Sequence, residues 1–283
     1  MTKPEDHGPD DPSRHGPRST IFRGAGAITL TADDWGRPHH PPVLLLHGGG
    51  QTRHAWRATA PTLAAQGWRV VALDLRGHGD SPWEPPWHLE QHVEDVLDAA
   101  PEEPCAWLGH SFGGRVAYEA AAAAPERVER LVLLDPAIRI PPHVGIAAAE
   151  NARRDRSYVT FEEGIDRRYE ESVLTTAPRP LVEEELRTHL LPDDEGRFRY
   201  RYCQSTVVAA YGEMTREPPP FERVRVPTLL VLGETSYLPY DDLLDAHAAA
   251  LGDLLEVRRI AAGHTVLWDA LDDTAEAIAA FLP

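Results

Sequence analysis

Ser111 is the residue whose surroundings best fit it for chemistry. Cys105-Ala106-Trp107-Leu108 reads as a buried apolar strand and runs into Gly109-His110-Ser111-Phe112-Gly113-Gly114, after which Arg115 to Ala124 is rich in helix formers. Glycines two before and two after Ser111 remove the Cβ atoms that would collide in so tight a reversal, so the hydroxyl projects from the turn. A helix that begins at the nucleophile offers its free amides, Phe112 first, to a negative charge forming beside Ser111. Strand, sharp turn and helix together set this apart from a glycine-rich turn with an idle serine. The chemistry implied is attack by a serine hydroxyl. Near neutral pH that needs a base to remove the proton and a carboxylate to orient the base.

Other chemistries are less well supplied. His88 and His92 form a helical i,i+4 pair among fourteen histidines but have no third ligand in view, so neither a metal site nor a cofactor is expected. Cys105 and Cys203 match no metal-ligand spacing and make no disulfide framework, and a reducing cytoplasm fits them best. Net charge is -17, from 45 acids against 28 bases, which repels phosphate backbones and anionic membranes and argues against a nucleic-acid partner. No run approaches the roughly 18 apolar residues of a membrane span. Residues 1–20 are polar, with Pro, Gly and charges, and read as a disordered tail rather than a signal.

Elements that could hold Ser111 in place are legible on both sides of it. Phe22 to Thr31 reads as an edge strand or hairpin closed by a turn at Asp33-Asp34-Trp35-Gly36, and Val43 to Leu46 as a buried parallel strand. Arg53 to Gln66 reads as a helix stopped by Gly67, with the next strand at Arg69 to Leu75. Asp74 to Ser81 follows as a tight loop tied by local ion pairs, with no catalytic role for His78. Glu90 to Ala100 is a helix and Glu129 to Asp135 another buried strand. Pro227 to Leu232 and Leu254 to Ile260 are the last strands, Asp241 to Leu251 and Thr274 to Leu282 the last helices. Between Asp135 and Val226 lie about 90 residues without an obvious parallel strand, far beyond the roughly 12 to 15 a plain loop tolerates. Helical periodicity places helices at Ala147–Ser157, Phe161–Thr175, Pro180–Leu190 and Tyr202–Met214.

The elbow pentapeptide, His47-Gly48-Gly49-Gly50 after the second strand and Gly263-His264 after the last one together resemble the α/β-hydrolase superfamily over about residues 21 to 283. The resemblance implies an α/β fold: a mostly parallel sheet flanked by helices, core at residues 21–137 and 226–283, and a helical cap inserted at 138–225. It assigns His264 as general base and the Gly49 amide, with Gly50 as fallback, as the oxyanion donor beside Phe112. The acid is open. Family members usually carry it a few residues after Gly233, where this chain has Glu234-Thr235-Ser236-Tyr237-Leu238. Some use an Asp at the end of the preceding strand, where Asp135 stands; Glu234, Asp241 or no carboxylate at all are the alternatives.

These readings converge on a metal-free serine hydrolase that cleaves an ester, lactone, thioester or activated carbon-carbon bond of a small apolar molecule. Serine at the elbow argues against epoxide hydrolase and haloalkane dehalogenase chemistry, which need a carboxylate nucleophile. The rival is a relative that binds or cyclises a ligand without hydrolysis. The cap's inner face is expected to close an apolar pocket that Tyr202 or Phe198 could line. Its arginines, from Arg153, Arg154 and Arg156 through Arg167 and Arg168 to Arg197, Arg199 and Arg201, read as solvated and paired with nearby acids rather than as a cationic pocket for a carboxylated or phosphopantetheine-bearing substrate. Oligomeric state is not legible.

Overall fold

Apolar runs in the sequence become the strands that a computed structural model of the protein, describing residues 17–23, 28–171 and 176–282, joins into one sheet. The first half of the chain supplies β1 (Arg18–Arg23), β2 (Thr29–Trp35), β3 (Pro42–Leu46), β4 (Arg69–Leu73), β5 (Cys105–His110) and β6 (Val128–Leu134). Helices α1 (Ala60–Ala65), α2 (Leu89–Ala99) and α3 (Phe112–Ala123) lie between them. The insert then adds α4 (Pro142–Ala152), β7 (Ser157–Tyr158), α5 (Phe161–Glu171), α6 (Arg179–His189), β8 (Leu190–Pro192), β9 (Phe198–Tyr200) and α7 (Gln204–Glu213). The chain returns through β10 (Thr228–Gly233), α8 (Asp241–Leu251), β11 (Leu255–Ile260), α9 (Val266–Asp269) and α10 (Leu271–Phe281).

The main sheet has the order β1-β2-β4-β3-β5-β6-β10-β11. β1 and β2 run antiparallel to their neighbours, and every pairing from β4 onward is parallel. Alternate side chains feed two cores, one on each face, because successive strand residues point to opposite sides. Leu44, Leu46, Trp107, Leu131 and Leu133 enter one core, and Val43, Leu45, Leu108, Val132 and Leu134 the other. Being covered on both faces, these strands show continuous apolar runs, which is why they are readable in the sequence.

Several boundaries differ from expectation. Arg18 to Thr20, assigned to the tail, pair with Asp34 to Ala32 in β1; residues 1–16 lie outside the described residues. Asp33 and Asp34 are not a turn but the buried end of β2, where Arg53 Nε donates to Asp33 at 2.8 Å and Arg69 pairs with Asp34 at 2.9 Å. Partners from distant elements make charge tolerable in a strand. The chain turns instead at Gly36, with φ of +83°. The helix expected over Arg53–Gln66 is split into a short 3₁₀ turn at Arg53–Trp56 and α1, because Pro61 has no amide for a helix interior and suits a first turn.

The insert forms the helical cap, with differences. Its first helix spans Pro142–Ala152 rather than the expected Ala147–Ser157; Pro142 suits a first turn, and Ser157 falls in β7 rather than in a helix. Residues 172–175 of the expected second helix lie outside the described residues. A three-stranded antiparallel sheet, β7-β9-β8, went unforeseen, its strands of two or three residues being too short to show alternation. The cap is laced to the loop after β4: Gly79 N donates to Arg201 O and Cys203 N to Gly77 O, both at 2.7 Å.

Candidate active site

The elbow is built by backbone crowding. Ser111 has φ 52° and ψ -116°, a conformation L-residues seldom adopt, held between β5 and α3. A Cβ on Gly109 would lie 2.3 Å from Gly113 O, and one on Gly113 2.3 Å from Leu46 O, so both must be glycine. Ser111 O accepts from Arg115 N and Ala137 N, both at 3.1 Å, which fastens the turn to the helix and to the chain after β6.

The structure brings Ser111, His264 and Asp135 together. His264 Nε2 lies 3.0 Å from Ser111 Oγ and Nδ1 lies 2.6 Å from Asp135 Oδ2. With Nδ1–H donating to the carboxylate, Nε2 is left to accept the serine proton. Asp135 is buried at the end of β6, its φ of 41° again a rare one, and its other oxygen accepts Gly233 N at 3.0 Å. The alternatives point elsewhere: Glu234 is exposed, and Asp241 pairs with Arg259.

Ser236, which the sequence presents only as a missing acid, donates its hydroxyl to Asp135 Oδ2. The loop after β10 therefore still serves the carboxylate, although it does not carry it. His110 was also missed. Its Nε2 meets the backbone oxygen of His264 at 3.0 Å, its Nδ1 lies 3.1 Å from Gln51 Oε1, and burial lowers its pKa to about 3. On the other side Asp269 Oδ2 accepts Gly263 N at 2.9 Å. The base thus sits on a turn pinned at two points.

The two glycines proposed for the oxyanion hole separate. Gly50 N donates to His78 Nε2 at 3.2 Å, so that amide is engaged. Gly49 faces the elbow, a Cβ there standing 3.8 Å from Phe112 Cβ, and it lines the cavity over Ser111. His47 and His78 brace this loop: His47 Nδ1–H donates to Gly48 O at 2.9 Å while Nε2 accepts Leu75 N at 3.0 Å. Burial lowers the His47 pKa to about 3 and that of His78 well below its ordinary value. The loop at Asp74–Ser81 is tied by ion pairs, Asp74 taking Arg53 and Arg76 taking Asp95 at 2.6 Å. Of the histidine pair, His88 caps α2 by accepting Gln91 N, and His92 is buried with its ring edge-on to Phe112 at 5.2 Å.

A cavity of about 120 Å³ lies over Ser111 and His264, floored by the elbow and roofed by the cap residues Val144, Val207, Tyr211 and Met214. Tyr237 stands at its side, edge-on to the His264 ring at 4.9 Å. Tyr202 lines an adjoining chamber with Tyr211, whereas Phe198 packs against Phe161.

A nucleophile elbow, a histidine after the last strand and a carboxylate chained to it across the edge of a mostly parallel sheet define a class. The family model described as the alpha/beta hydrolase fold matches residues 41–271. The chain belongs to the α/β-hydrolase family and is an enzyme of it. It is 30% identical over 246 residues to the lipase LipV of Mycobacterium tuberculosis, covering 84% of this chain and 92% of that one. An sn-1-specific diacylglycerol lipase, ABHD11, of Mus musculus is 29% identical over 255 residues, 86% of this chain and 81% of that. The solved E-2-(acetamidomethylene)succinate hydrolase superposes with a TM-score of 0.83 at 22% identity, over 94% of this chain and 99% of that one, a likeness of fold. No helix among the described residues is long and apolar enough to cross a membrane.

Proposed function

We propose that this hydrolase cleaves an ester-type acyl bond of a small molecule through a covalent acyl-enzyme on Ser111. The observation that carries the reading is the unbroken hydrogen-bonded chain from Ser111 Oγ through His264 to Asp135. His264 Nε2 takes the hydroxyl proton as Oγ attacks the carbonyl carbon, and the resulting oxyanion is held by the Phe112 and Gly49 amides. The tetrahedral intermediate collapses as His264 gives the proton to the leaving alcohol or thiol. Water, deprotonated by the same ring, then releases the acid. Asp135 keeps the ring in the right tautomer and stabilises its charged form.

The names of the relatives lean the same way, since a lipase, a diacylglycerol lipase and a pimeloyl-[acyl-carrier protein] methyl ester esterase of Methylococcus capsulatus all open ester bonds. The binding-or-cyclising alternative drew on the vacancy after β10, and a carboxylate 2.6 Å from His264 supports the hydrolytic reading over it. With Cys105 and Cys203 both free thiols, a reducing cytoplasm is the proposed location. Intact-mass spectrometry after a fluorophosphonate pulse should show one adduct on the wild type and none on Ser111→Ala. A stoichiometric adduct that survives the substitution would remove Ser111 as the nucleophile.

A further inference from the structure

The cavity over Ser111 is the innermost of a tract of three hollows that share lining residues. It shares Gly49, Val207, Tyr211, Tyr237 and Arg168 as walls with a second chamber of about 220 Å³. That chamber shares Arg156 and Tyr202 with a surface groove of about 780 Å³, whose rim carries Arg153, Arg199 and Arg201. Arginines line all three hollows, with Asp155 and Asp193 beside them in the outermost. Among residues whose side chains are described, no Asp or Glu lines the two inner chambers, in a chain with 45 acids and 28 bases.

The inner arginines are not ordinary solvated ones. Arg167 and Arg168 are neighbours in α5, yet Arg167 is exposed and pairs with Glu170 at 3.3 Å. Arg168 is half-buried, its guanidinium carbon 5.6 Å from the centre of the Tyr200 ring, and it reaches both inner chambers. At the rim, Arg199 pairs with Asp193 at 2.7 Å and Arg201 with Asp80, which engages their charge locally. Arg156 and Arg168 each have further interactions of their own, and what they bring to the tract is their place along it and a guanidinium's permanent charge.

We propose that the substrate is amphiphilic: one short apolar arm of the acyl bond packs over Ser111 against Ile140, Val144 and Met214, and its far end carries an anionic group, carboxylate or phosphate, held by Arg168 and Arg156. The proposal rests on the hydrolase reading and sharpens it, replacing a wholly apolar substrate with one of two characters. The planar guanidinium fork suits either anion. On a molecule of net charge -17, inner chambers lined by Arg168 and Arg156 and by no described acid lessen the repulsion an anion meets.

The test compares kcat/KM for 4-nitrophenyl valerate with that for 4-nitrophenyl hydrogen glutarate, which differs by a terminal carboxylate. The wild type should prefer the glutarate ester by about tenfold or more, the scale of one charge-assisted hydrogen bond, and the preference should shrink in high salt. Arg168→Met should cut the ratio by about tenfold. Because that change also removes the stacking on Tyr200, Arg156→Met serves as a second variant, and the salt dependence needs none. Equal rates for both esters in the wild type, or a ratio unmoved in both variants, would overturn the proposal. Free glutarate and inorganic phosphate, as competitive inhibitors of valerate hydrolysis, identify the anion by which inhibits at lower concentration; inhibition by neither counts against the site. Should neither ester be turned over, calorimetric titration with glutarate still reads the site. Binding in the wild type that Arg168→Met loses keeps the anion proposal while the hydrolase reading falls, and no binding ends both.

Discussion

At the elbow and at the end of β10, the closest approaches are backbone against backbone. A Cβ on Gly109, Gly113 or Gly233 would lie 2.1 to 2.3 Å from a carbonyl oxygen of a neighbouring segment. In the cap the tight glycines press on the ends of side chains, Gly145 on Thr215 Cγ2 and Gly164 on Leu190 Cδ2, and Gly196 and Gly212 face open space. Arginine ion pairs follow the same division, although Glu185 and His189 of α6 pair while buried in the cap. Arg53 with Asp33 and Arg76 with Asp95 are buried, whereas Arg179 with Asp166 and Arg199 with Asp155 are exposed. Backbone cannot yield where side chains can, so the edge is committed to one geometry while the cap is free to vary. Constraint of this kind lets one fold keep its chemistry while its specificity changes.

The largest effects are expected where the edge is altered. Asp135→Asn should cost on the order of 10⁴ in kcat, because the amide holds His264 in the wrong tautomer, while Glu234→Gln should leave activity within about twofold. A reversed ranking from steady-state kinetics would move the acid out of the edge. Gly109→Ala should cost the fold at least several kcal/mol, on the scale of about 1–3 for ordinary overpacking and more where backbone cannot move. Urea denaturation that finds it near wild type would show the elbow to be pliable.

Acid offers a second handle on the edge. Burial sets the pKa values of His47, His92 and His110 near 3, against 6.5 for the same rings when exposed. Between those values the unfolded chain binds the extra protons, so their share of stability is whole above pH 6.5 and declines as pH falls toward 3. The slope is up to about 1.4 kcal/mol per pH unit for each ring. Denaturation midpoints taken from about pH 7 down to about pH 5 should fall accordingly, and a flat profile would contradict neutral burial.

Smaller effects are expected at Ser236 and in the cap. Ser236→Ala should lower kcat about tenfold, the value of one charge-assisted hydrogen bond, without changing the melting temperature by more than a few degrees. An unchanged kcat would leave Ser236 a loop residue only. In the cap, Gly212→Ala lies on an exposed turn of α7 with nothing within 4 Å and should stabilise the protein by roughly 0.5–1 kcal/mol. Destabilisation there would mean that the cap is as tightly built as the edge.

Much of this protein was determined by sequence close at hand. The apolar runs that became β3, β5, β6 and β10, the glycines on either side of Ser111 and the Gly263-His264 turn are local patterns, each carrying its own physical reason. Tertiary structure decided what depends on remote partners. Asp135 stands out from Glu234 and Asp241 only because it meets His264, 129 residues away, and Ser236 gains a purpose only by reaching Asp135 across 101 residues. Asp33 and Asp34 look like a turn until Arg53 and Arg69 arrive beside them. Arg167 and Arg168 are adjacent and look alike in α5, and only the packing of the cap sends one to solvent and the other to the cavity over Ser111. A hydrogen bond or ion pair is decided by distance in space, and the chain states that distance only after it has folded.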